Sequence, residues 1–160
     1  MSVLTLLLFA LLREPAPEAP MAAHQVAERY MYAFTRGDVT ALKGFYNAES
    51  LYEDPHAGVS LRGPEEILKH HQARFPFAER QQIIVRRKMD RGDLVVFFYE
   101  IRVRAKAEAF EPAKQKLHFI IPKVAVLRIK DGIVSHHVDQ TDLRSFDQQM
   151  KQYGVQLKEK

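Results

Sequence analysis

The chain of 160 residues contains no cysteine. That excludes a disulfide framework, a thiolate nucleophile and any cysteine-based zinc or iron–sulfur site. Charge is only mildly unbalanced, with 24 Lys and Arg against 20 Asp and Glu, a net +4. The basic residues concentrate between positions 86 and 130, yet aromatics do not interleave with them as a base-stacking platform requires. They read as a solvated strand-edge face that discourages edge pairing, and no nucleic acid is expected as a partner. Metal-binding spacings are missing too: there is no H-E-x-x-H and no two-histidine-one-carboxylate pattern. The adjacent pairs His70-His71 and His136-His137 diverge on a helix and face opposite ways on a strand, so neither chelates by itself. No metal and no cofactor are expected. Internal repeats and low-complexity tracts are also absent.

Long apolar runs are scarce. Residues 3–12, VLTLLLFALL, are too few to cross a bilayer, so no membrane span is expected. Their length suits a signal-peptide core, followed by the Pro-rich linker REPAPEAP. No Lys or Arg precedes the run, and Ala16 and Ala19 are each followed by Pro. Residues 1–20 therefore read as a signal peptide, a surface anchor, or an artefact of start-site assignment with Met21 as the true start. The first implies export to a periplasm or beyond; otherwise the protein is cytoplasmic. In each case the fold begins near residue 21.

What remains is ordinary for one globular domain, 46% hydrophobic and 28% charged. Val26, Tyr30, Ala33 and Phe34 recur at helical spacing in AAHQVAERYMYAFT, and Gly37-Asp38 ends that helix. A second short helix is expected over 39–46. LYEDP is a short strand stopped by Pro55, and AGVSLRG is a loop. Pro64 opens a third helix, with Glu65 and Glu66 in its first turn. Two strands around a Gly turn then cover QQIIVRRKMD and LVVFFYEIRVRAKAEA. KLHFIIPKVAVLRIK is a long strand with a bulge or bend at Pro122, and Asp131-Gly132 is a hairpin turn wanting positive φ. IVSHHVDQTD is the last strand, LRSFDQQMKQYG a closing amphipathic segment, and 153–160 a polar tail. Helices segregated from an antiparallel run give the α+β class, one curved sheet packed against helices. Arg-Gly-Asp occurs at 36–38 and 91–93; both read as turns that need glycine.

This order resembles the nuclear transport factor 2-like superfamily, in its SnoaL-like and ketosteroid isomerase-like group. The stretches AERYMYAFTRGDVTALKGFYNAESLYEDP, LRGPEEILKHH and DGIVSHHVDQTDLRSF carry the likeness, over roughly residues 22–150. The resemblance implies a cone-shaped α+β barrel, a curved and mostly antiparallel sheet against three N-terminal helices, spanning 21–152. Members include isomerases, polyketide cyclases, epoxide hydrolases and proteins without chemistry, so fold alone does not give function.

The resemblance also implies site residues. In the isomerases, Asp54 would shuttle a proton α to a carbonyl and Tyr30 would hydrogen-bond the enolate oxygen. Their second oxyanion donor lies after a proline; an ungapped comparison around Pro122 puts Val124 there, and valine cannot donate. That leaves the oxyanion hole half missing. In SnoaL-like cyclases, the Asp at the place of Asp139 is the acid/base, and His137 would orient or tune it. Alternation along IVSHHVDQTD puts Ser135, His137, Asp139 and Thr141 on one face. The bland alternatives stay open: Tyr30 as a helix aromatic, Asp54 as a strand end bonding its own turn, and His137 with Asp139 facing water or a partner.

Two functions follow as expectations. One is proton-transfer catalysis on a small apolar carbonyl compound. The other is a non-catalytic pocket for a small apolar ligand or a protein partner. On strand 94–104, Val95, Phe97, Tyr99, Ile101 and Val103 form one apolar face, while Leu94, Val96 and Phe98 begin the other. By resemblance that second face implies a homodimer.

Overall fold

The computed structural model describes residues 21–73, 77–112 and 116–158; the expectations for residues 1–20 lie outside the described residues. Helix α1 (Ala23–Arg36) buries Val26, Ala27, Tyr30, Met31, Ala33 and Phe34 on one face. Gly37 ends it at φ 67, closing onto the Ala33 and Phe34 carbonyls. Asp38 then caps α2 (Val39–Lys43) by accepting from Ala41 N. The second helix is shorter than expected. Gly44 caps it, and Phe45 leaves the helix to accept a main-chain hydrogen bond from Val134 N.

Strands β1 (Leu51–Asp54) and β2 (Val59–Arg62) form a hairpin, with Asp54 opposite Val59. The segment read as a loop is therefore partly a strand. Its four residues alternate half-buried Val59 and Leu61 with exposed Ser60 and Arg62, a signal too short to stand out beside Gly58 and Gly63. Helix α3 (Pro64–Ala73) follows and buries Ile67, Leu68 and His71.

The remaining strands are β3 (Ala78–Arg91), β4 (Leu94–Ala105), β5 (Phe110–Glu111), β6 (Leu117–Lys130), β7 (Ile133–Thr141) and β8 (Gln156–Leu157). One six-stranded sheet runs β2-β1-β7-β6-β4-β3, with β1 parallel to β7 and every other pair antiparallel. Its ends, β2 and β3, do not meet, so the cone is open. The β6–β7 turn has Asp131 at φ 52 and Gly132 at φ 76, as the Asp-Gly pair demands.

Pro122 does not bulge. The β4–β6 register is continuous from Leu94↔Arg128 to Ala105↔Leu117. The Pro122 carbonyl accepts from Asp142 N, so its missing N–H lies on the β7 side, one residue past where β7 pairing stops at Lys123↔Thr141. The irregularity lies in β7 instead. The register shifts between Arg128 and Ile129, opposite Ser135. Val134 thereby becomes fully buried on the same side as His137, and Ser135 turns out to bond the Arg128 carbonyl.

Helix α4 (Leu143–Tyr153) covers the part of β6 that β7 leaves open. Phe146 packs on Phe119 at 4.9 Å and on Phe77 at 5.8 Å. The Gln149 amide accepts from Ile120 N at 2.8 Å and donates to Ile120 O at 2.7 Å, as a neighbouring strand would. Within the segment read as a polar tail, Gln156–Leu157 pairs with β5.

Candidate functional site

The inner face of the sheet carries apolar side chains at nearly every alternate position, and a few polar ones interrupt it. On β6 the inward series is Leu117, Phe119, Ile121, Lys123, Ala125, Leu127 and Ile129, all buried. Lys123 is the exception in that series. Val124, its neighbour, points to the outer face. On β7, His137 and Asp139 face inward as alternation predicts. Cross-strand register sets Tyr99 opposite Lys123 and Lys123 opposite Thr141. Asp139 sits opposite the small Ala125, which leaves room for the long diagonal side chains.

These groups form one bonded network. Asp139 accepts from Tyr99 Oη at 2.9 Å, Tyr52 Oη at 3.1 Å, Lys123 Nζ at 2.9 Å and His137 Nε2 at 3.1 Å. His137 Nδ1 lies 2.8 Å from Tyr30 Oη, Tyr30 Oη 2.6 Å from Tyr46 Oη, and Tyr46 Oη 3.1 Å from His71 Nε2. At the other end, Lys123 Nζ is also 3.6 Å from Asp54 Oδ2. Asp54 accepts from Thr141 Oγ1 and from Ala57 N, each at 3.2 Å. The second of these is the strand-end turn bond that the bland reading anticipated.

All four residues singled out in the sequence, Tyr30, Asp54, His137 and Asp139, thus belong to one network. Lys123, Tyr46, Tyr52, Tyr99 and His71 were missed as members. Lys123 had a readable signal, a lone cation in an apolar alternation. Tyr52 shares a strand face with Asp54. Nothing local marked Tyr46 or His71.

Burial decides the electrostatics. Tyr30 and His137 are 0% exposed and Asp139 1%, while Asp54 is 5% and Lys123 7% exposed. Burial pushes the Asp139 carboxyl up, but His137 and Lys123 beside it outweigh that and hold it well below the usual carboxylate range. Two carboxylates against one ammonium would be costly in a dry interior without further donors: Tyr52, Tyr99 and His137 serve Asp139, and Thr141 and Ala57 N serve Asp54. Among the described residues, no group of three or more His, Asp or Glu is arranged to hold a metal ion, and no helix is long and apolar enough to cross a membrane.

A groove of about 630 Å³ opens at this end of the sheet. Lys123, Tyr99 and Thr141 of the network line it, together with His56, Phe98 and Leu143.

The profile of the SnoaL-like domain matches residues 27–137. The chain belongs to the SnoaL-like domain family. That span includes Tyr30, Asp54, Lys123 and His137 and stops just short of Asp139. No curated protein matches the chain. Among solved structures, a protein of Shewanella denitrificans OS-217 assigned as a SnoaL-like polyketide cyclase superposes with TM-score 0.70 at 23% identity, covering 81% of this chain and 97% of that one. An LEH-like epoxide hydrolase of M. tuberculosis gives 0.62 at 14%, covering 81% and 90%. An NTF2-like protein of unknown function from Cytophaga hutchinsonii gives 0.59 at 13%, covering 81% and 98%. At these identities the superpositions show a shared fold and nothing further. The fold is thus an open α+β cone of the NTF2-like kind.

Proposed function

We propose that this SnoaL-like protein binds a small apolar carbonyl compound at the groove and moves a proton on it, with Asp54 as the base. One observation carries the reading. Asp54 is held by Lys123 and Thr141, and both of those residues are among the ones that border the groove. A base must first be within reach of its substrate, and Asp54 stands one contact away from two residues that border the groove. The groove's volume suits a small ligand, and Phe98, Val124 and Leu143 give it an apolar wall.

The roles divide by position. Asp54 takes a proton from the carbon next to the carbonyl. Lys123, with three N–H donors, faces the developing oxyanion in place of the donor that valine cannot supply. Tyr30 keeps its hydroxyl between Tyr46 and His137, so it supports His137 from within. Asp139, with four donors, stays ionised and orients both His137 and Lys123. A second copy of the chain packed on the outer sheet face, over Val96, Phe98, Val126 and Val138, would roof the groove and exclude water.

The test is deuterium exchange at the α-carbons of a panel of small apolar ketones and aldehydes, followed by proton NMR. The wild type is expected to exchange at least one of them above background, and Asp54→Asn to lose about 100-fold or more. Binding without exchange would instead support a non-catalytic ligand module. That second reading is favoured by one observation: Tyr30, His137 and Asp139 are packed as tightly as core residues.

A further inference from the structure

His71 and Tyr46 have no part in the chemistry just proposed, yet they extend its network inward. Three consecutive contacts of 2.8, 2.6 and 3.1 Å join His137 Nδ1, Tyr30 Oη, Tyr46 Oη and His71 Nε2. Each tyrosine hydroxyl can donate one hydrogen bond and accept another. The chain can therefore be polarised in either direction, and the two directions differ only in which imidazole carries the extra proton. We propose that His71 and His137 share one proton through the hydroxyls of Tyr30 and Tyr46, forming a relay from the carboxylate centre to helix α3.

The balance is simple. With His137 as imidazolium, Nδ1–H donates to Tyr30, Tyr30 donates to Tyr46, and Tyr46 donates to the bare Nε2 of neutral His71. Three protons then each move one place. The His137 N–H and the two original O–H bonds break, while two new O–H bonds and a His71 N–H bond form. Both tyrosines remain neutral, and the positive charge has passed from His137 to His71.

Two features favour one shared proton over two. The imidazole rings lie 6.0 Å apart, close enough that two buried cations would repel strongly. Asp139 and Asp54 together face a single ammonium, Lys123, so an imidazolium on His137 balances the second carboxylate. When the charge at the Asp54 end changes, the relay lets the interior respond without admitting water to His137. His71 and Tyr46 act through His137 and are positioning residues. The inference does not depend on the carbonyl reading, because its test requires no substrate.

The experiment uses full-length protein labelled with 15N-histidine and reads the ring nitrogens of both histidines. In the unaltered protein, the His71 and His137 signals are expected to change together, in one step, as pH is varied. Independent titrations would overturn the relay. In Asp139→Asn, loss of the carboxylate charge should move the proton towards His71, shifting its Nε2 from a bare to a protonated nitrogen. Adding Tyr46→Phe should abolish that response. A His71 signal indifferent to Asp139→Asn, or equally responsive with and without the Tyr46 hydroxyl, would also overturn the proposal. The unaltered-protein measurement decides the question even if a variant fails to fold.

Discussion

Lys123 Nζ lies 2.9 Å from Asp139 Oδ2, and their side chains are 6% and 1% exposed. The two stand diagonally across neighbouring strands, and the same ammonium reaches Asp54 at 3.6 Å. Replacing Lys123 with Met would keep most of the side-chain volume but strip both buried carboxylates of their cation. The expected cost is about 3–5 kcal/mol of folding stability, measurable by urea denaturation.

Asp139 should govern the acid limb of stability. Its folded-state carboxyl titrates below its ordinary value of 3.8. Between those two values the unfolded chain binds a proton that the native protein does not. The stabilisation is therefore fully present above the ordinary value and drains away as pH falls through it towards the depressed one. Urea midpoints measured from pH 6 down to pH 2 should fall steeply below about pH 5 in the wild type. Asp139→Asn should start lower at neutral pH and show a shallower acid slope.

The Gln149 amide stands in for a strand beside Ile120. Gln149→Ala removes both bonds at a partly exposed edge, so the cost should be about 1 kcal/mol. Hydrogen exchange at the Ile120 amide should speed up clearly more than at its neighbours. Unchanged exchange there would mean that α4 protects the edge by packing alone.

Gly132 tests backbone conformation without packing. A Cβ at that position would meet nothing within 4 Å, but φ is +76. Gly132→Ala should therefore cost about 1 kcal/mol through the left-handed backbone alone. In a thermal melt that is a drop of about 2–4 °C.

The outer face bears on assembly. Phe98 is 37% exposed on the outer face of β4, one strand in from the β3 edge. Phe98→Glu should leave the fold intact and shift a dimer to monomer in analytical ultracentrifugation. A wild type that is already monomeric would remove the proposed roof of the groove.

Much of this was legible in the chain before folding. The periodicity of Val26, Tyr30 and Phe34 marked α1. Alternation along β4 named its buried face, Val95 through Val103, and the Asp131-Gly132 pair named its hairpin. Each depends on neighbours a few residues apart, where backbone geometry and local propensity act directly. The short β2 strand and the early end of α2 were harder, since four or five residues carry too little pattern.

The network depends on distances that local sequence does not encode. Tyr30 and His137 are 107 residues apart and meet only because α1 docks across the sheet, against β3, β4 and β6. Tyr52 reaches Asp139 because β1 lies parallel to β7, a pairing with no turn between them to announce it. Ser135 leaves the inner face because β7 bulges opposite β6. Composition, turns, burial pattern and family membership follow from the order of residues. Which polar side chains meet in the dry interior follows from strand register and helix docking, where the need to pair every buried charge selects among arrangements that local pattern leaves equal.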